Sequence, residues 1–145
     1  MAAMSDYLEN KLIDQIFRAQ AFTFPATLHV GLLTAAPSDT GGGTEVTGNN
    51  YSRVAVAASL ANFAGTQSAG STVASSGTSG TTSNNGAVNF PTPSGTWGLV
   101  THFGIYDAAS AGNLLFYGAL TTSKTINTND VVSFAAAALT VQIDN

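Results

Sequence analysis

The sequence predicts a mainly β protein: an antiparallel β-sandwich, of jelly-roll or Ig-like type, with one N-terminal α-helix. Three observations predict it. Apolar residues recur at helical spacing only near the N-terminus. From Pro25 onward the apolar period drops to two, in short runs separated by Gly, Pro, Asn and Ser. The chain has 145 residues, which suits a single domain spanning 1–145.

Residues 5–20 read as the helix. Ser5 or Asp6 can cap it, and Asp6 with Glu9 has capping-box spacing. Leu8, Leu12, Ile13, Ile16 and Phe17 form one apolar face. That face is expected to pack on its own domain; docking on a neighbouring subunit is the alternative. Residues 26–34 follow as a strand, with Leu28, Val30 and Leu32 on one side. Residues 35–50 form a loop containing Gly41, Gly42 and Gly43. Residues 51–58 give a second strand, Val54 and Val56 on one face and Tyr51 and Arg53 on the other.

Residues 68–83 are low in complexity: thirteen of the sixteen are Ser, Thr or Gly. They have little to bury and read as a long loop. Asn85–Gly86 marks a turn before a short strand at 87–90. Residues 97–107 are the clearest strand. Trp97, Leu99, Phe103 and Ile105 share one parity, and Val100, His102 and Tyr106 the other. Bulk on both faces predicts a central strand. Residues 113–120 return as its hairpin partner, 127–130 make a turn, and 131–134 and 138–143 complete some seven strands.

Charged residues are only 8 % of the chain, against about 25 % in ordinary globular proteins. A surface so poor in charge does little to oppose association. The four basic residues, Lys11, Arg18, Arg53 and Lys124, are scattered, so no basic stripe awaits a nucleic acid. There is no cysteine, which removes disulfides and thiolate metal sites. Neither a signal peptide nor an apolar run of membrane-spanning length is visible.

Catalytic material is sparse, and the expectation is a non-enzyme with no catalytic, cofactor-binding or metal-ligating residues and no cofactor. His29 and His102 both fall within strands, without ligand spacing around them. His102 and Asp107 differ in parity, so a regular strand points them to opposite faces. No G-x-S-x-G occurs. The acids Asp6, Glu9, Asp14, Asp39, Glu45, Asp107, Asp130 and Asp144 form no close pair beyond the helix start. Asp130 reads as a turn stabiliser, and the triple glycine lacks a phosphate-loop lysine. Asn50–Tyr51–Ser52 matches a glycosylation sequon by pattern alone. Trp97, Phe103, Tyr106, Phe116 and Tyr117 cluster in the hairpin and read as core. If exposed, they would instead offer a sugar-binding platform, with Asp107 and Asn113 beside it.

Four segments carry a family resemblance: FPATLHVGLLTAAPSDTGGG (24–43), YSRVAV (51–56), FPTPSGTWGLVTHFGIYDAASAGNLLFYGALTTSKTI (90–126) and SFAAAALTV (133–141). They resemble a family of small structural proteins of tailed bacteriophages, commonly labelled tail or tail-fibre proteins. The resemblance implies a virion component, made in the bacterial host cytoplasm. Its implied partners are other virion proteins and further copies of itself. Nucleic acid and membrane are not expected partners, and a host glycan is a further candidate. Capsid decoration is the alternative structural role; a carbohydrate-binding module is the alternative of another class.

Overall fold

In the computed structural model, which describes residues 2–143, the chain runs β1 (Ala3–Met4), α1 (Asp6–Phe17), β2 (Thr27–Ala35), β3 (Thr44–Glu45), β4 (Val54–Ala57), β5 (Thr81–Ser83), β6 (Val88–Asn89), β7 (Gly98–Tyr106), β8 (Leu114–Ile126), β9 (Ser133–Phe134) and β10 (Thr140–Gln142). The central position expected for 97–107 is where β7 lies, antiparallel between β2 and β8. β1 extends the sheet past β8. The far edge of β2 is shared, β4 pairing along its first half and β3 at its end. This gives one six-stranded sheet. Two antiparallel ribbons, β5 with β10 and β6 with β9, complete the β structure.

The ribbons bury one face of the main sheet in a sandwich-like layout. Val30, Leu32, Phe103 and Ile105 of the sheet share one cluster with Val88, Phe90, Leu139 and Val141 of the second layer. Asn84 ties that layer together from inside. It is almost fully buried, yet every polar atom of its side chain is bonded. Its Nδ2 donates to the Gly86 and Ala135 carbonyls, both at 2.8 Å, and its Oδ1 accepts from Leu139 N–H at 2.8 Å. A buried amide satisfied this fully fixes the path of two loops at once.

The alternation read for β7 is corrected at one point. Pairing with β8 slips between Val100 and His102, whose partners are Lys124 and Ala119. This bulge reverses the facing of Leu99 and Val100. Val100 is therefore 1 % exposed and joins Phe103 and Ile105 in the core, while Leu99 is 52 % exposed.

Three strands go beyond those expected: β1, β3 and β5. β5 closes the Ser/Thr/Gly segment and pairs with β10. The rest of that segment is held by side chains just upstream. Gln67 bonds Ser71 Oγ and Ser76 N–H, and Thr66 Oγ1 accepts from Gly77 N–H at 2.9 Å.

The helix is shorter than the expected 5–20. Ser5 is its N-cap, accepting from Leu8 N–H at 3.3 Å, so Asp6 is the first helical residue. Arg18 is the C-cap, and Ala19 follows at φ 54°, a left-handed conformation that cannot continue a right-handed helix.

Candidate interaction surface

Helix α1 is fixed at one end. The Ser5 hydroxyl donates to the Leu114 carbonyl while accepting from Leu8 N–H. The backbone N–H groups of Ser5 and Asp6 donate to Leu115 and Asp39 carbonyls at 3.0 and 2.8 Å. Leu8 is buried and Leu12 is half-buried. Beyond that first turn the apolar face leaves the domain. Ile13 is 50 %, Ile16 66 % and Phe17 79 % exposed. The expectation that this face packs on its own domain therefore holds for its start and fails for its end. The apolar side chains there stay half or more exposed.

Helical geometry also sorts the charges around this face. At about 100° per residue, Glu9 falls in the same stripe as Ile13 and Ile16, while Lys11 and Arg18 fall on the far side. Arg18 is occupied there by Asp14, at 3.0 Å.

A second surface lies toward the other end of β8. An open groove of about 470 Å³ runs between β7, the later part of β8 and the 131–134 segment. Phe103, Leu120, Ile126 and Phe134 are among its apolar walls, and Val131, almost fully exposed, stands on its rim. Among the described residues, the only charged side chain lining it is Lys124, and no ion pair engages it.

On the opposite face of the sheet, charge is buried instead. The Arg53 guanidinium grips Glu45 bidentately, Nε to Oε1 at 2.8 Å and Nη2 to Oε2 at 2.7 Å. Its Nη1 donates to the Ala108 and Ala111 carbonyls, each at 2.8 Å, and its Cζ lies 3.4 Å from the Tyr106 ring centroid. Tyr51 completes the cluster, donating to Glu45 Oε1 at 2.8 Å and accepting from Leu32 N–H at 2.9 Å. Gly31 leaves the space it needs: a Cβ there would lie 2.9 Å from Glu45 Oε1.

Burial opposes the Arg53 charge, but the hydrogen bonds and charge of Glu45 outweigh it and hold the group above its ordinary pKa. Burial pushes the Tyr51 hydroxyl far above its ordinary value, against the Leu32 hydrogen bond and with help from Glu45. Tyr106 is raised by burial and by Glu45, against Arg53. With every charged group paired, the cluster is a clamp joining β2, β3, β4 and the β7–β8 turn. Alternation puts Arg53 and Tyr51 on one face but does not reveal Glu45, which falls in the stretch 35–50 expected to be loop. The available signal was a pair of opposite charges in a chain nearly devoid of them.

The other candidates are placed as follows. Asp107 accepts from Asn113 N–H and Nδ2, both at 2.7 Å, and so closes the β7–β8 turn. His102 Nδ1 bonds Thr101 Oγ1 at 2.8 Å. His29 Nδ1 is buried without a hydrogen-bond partner among the described residues. Asp130 accepts from Asn127 N–H at 2.8 Å, as a turn stabiliser does. Asn50 donates its side-chain amide to the Thr92 carbonyl at 2.9 Å. Gly41, Gly42 and Gly43 all adopt positive φ in a turn. Asp144 lies outside the described residues.

Trp97, Phe103 and Tyr106 are buried, and the Trp97 indole N–H donates to the Asn49 carbonyl at 3.0 Å. Phe116 packs against the core, and Tyr117 donates to Asp39. The hairpin aromatics therefore form core and clasps, and present no stacked platform to solvent. Among the described residues, no three His, Asp or Glu gather as metal ligands, and no helix is long and apolar enough to cross a membrane.

A charge-poor β module whose helix leaves apolar side chains exposed fits the class of structural proteins. The comparison with known families gives that class a particular place: residues 3–142 match the family described as podophage GP4 fiber I protein gp80. The chain belongs to this family, and is thus a tail-fibre structural protein and virion component of a tailed phage. No curated protein matches it.

Proposed function

We propose that the protein is a non-enzymatic subunit of the phage tail fibre or its attachment, working through protein–protein contacts with other virion proteins and with copies of itself. The observation that carries this reading is the match over residues 3–142 to a fibre family. The half-uncovered helix face supports it, because exposed apolar surface marks a contact site. The chemistry of the chain agrees with a passive role. Asp107 and Asp130 hold turns, and Glu45 holds Arg53. Of the four basic residues, Arg18 and Arg53 are already paired, which leaves little to neutralise a phosphate backbone.

Immunogold labelling of intact virions and of tailless capsids tests the assignment. Label confined to the tail and its fibres is the expected result. Label spread over the shell of both particles would make this a capsid decoration protein instead.

A further inference from the structure

We propose that the exposed face of helix α1 seats in the groove beside β8 of a second copy of the chain. The inference rests on the fibre-subunit reading and gives it a contact. The occupant is identified by complementarity of shape and charge. Glu9, Ile13 and Ile16 stand at i, i+4 and i+7, the spacing by which an amphipathic helix enters an apolar groove. The stripe carries two acids, the exposed Glu9 and, half-buried at the anchored end, Asp6, with the helix's basic residues turned away. The groove sets apolar walls beside threonine and serine hydroxyls, and among the described residues its lining charge is Lys124. Seating the stripe in the groove brings Glu9 toward Lys124 and covers Ile13, Ile16 and Phe17 against Leu120, Phe134 and Val131.

The contact has to be made between copies. The exposure of Ile13, Ile16 and Phe17 shows that they do not fill the groove of their own chain. Ser5 fixes the helix beside Leu114 and Leu115, whereas the groove reaches Lys124, roughly 25–30 Å along β8. Donor and acceptor are different surfaces, so the contact is heterologous. Each copy keeps a free helix at one end and a free groove at the other, and the interaction propagates into a ring or a filament.

The chain has no cysteine, so introduced thiols report alone. The full chain is made as Ile16→Cys, as Val131→Cys and as the double variant, each at an exposed position, and treated with a short bismaleimide. The expected result is a cross-linked dimer from the mixed single variants, a ladder from the double variant, and no cross-link from Ile16→Cys alone. In parallel, Glu9→Lys or Lys124→Glu should each weaken self-association roughly three- to tenfold, and the two together should restore it to within about twofold.

Cross-linking of Ile16→Cys to itself would mean a symmetric helix pair and would overturn the proposal. So would the absence of a ladder, or a double reversal that fails to restore association. Any of these with immunogold label on the tail removes the contact and keeps the fibre reading. A ladder with label on the shell keeps the contact and removes the fibre reading.

Discussion

Arg53 is a charged side chain buried under Tyr106 and held by Glu45 and two carbonyls. Ile16 and Phe17 are apolar side chains standing in solvent. The two regions reverse the usual placement of charge and grease, and each reversal has its own physical basis. A buried ion pair survives because every group in it is bonded; its value lies in fixing geometry, since desolvation offsets much of its attraction. An exposed apolar stripe costs the isolated chain little and becomes valuable when a neighbour covers it. The two properties are thus separated: the clamp holds the sheet's edge loops, and the helix tip keeps its apolar side chains exposed.

Substitutions can break this contrast, and the largest effects should come from the core and the clamp. Trp97→Ala removes a buried indole together with its bond to Asn49, and should lower unfolding free energy by about 3–5 kcal/mol in urea denaturation. A folded variant with unchanged stability would place Trp97 outside the core. Glu45→Gln leaves Arg53 buried without its counter-charge and should cost about 3 kcal/mol, measured the same way. A loss below about 0.5 kcal/mol would show that the clamp holds nothing.

The Tyr117–Asp39 bond joins β8 to the loop before β3 and carries a pH signature. The hydrogen bond to Asp39, with smaller contributions from burial and from the charges of Asp39, Asp6 and Glu9, raises the Tyr117 hydroxyl from 10.0 to about 12. Because the folded value is the higher one, the stabilisation is complete below the ordinary tyrosine range and disappears as pH rises through about 12. Asp39→Asn should move the Tyr117 ionisation back toward the ordinary value, read as phenolate absorbance against a Tyr117→Phe reference. An unmoved titration would exclude Asp39 as the cause.

At the helix tip the expected effect is smallest. Ile16→Ser should change the stability of dilute, monomeric protein by no more than about 0.5 kcal/mol. A loss of 2 kcal/mol or more would mean that Ile16 belongs to its own core, and the contrast with Arg53 would collapse.

Much of this fold was legible from periodicity and punctuation. Ser5, Leu8 and Leu12 marked the helix, and bulk on both parities of 97–107 marked a central strand. What sequence could not give was set by distant partners. Leu99 and Val100 exchange faces because β8 carries extra residues between the partners of Val100 and His102, a bulge that no local pattern in β7 records. β1 and β3 are two residues each, too short for alternation to appear. Glu45 meets Arg53 only because β3 and β4 both pair with β2. The helix face itself was visible, but whether it was covered depended on the tertiary fold. Ser5 anchors the first turn; at the last, Phe22 N–H donates to Gln15 while Ile16 and Phe17 stay exposed.

The most direct measurement is a cryo-EM reconstruction of the intact virion at side-chain resolution. This chain is expected in the fibre density, with Ile13, Ile16 and Phe17 covered by an adjacent subunit. Density for the chain on the capsid shell, or a fibre in which that helix face still looks into solvent, would contradict it.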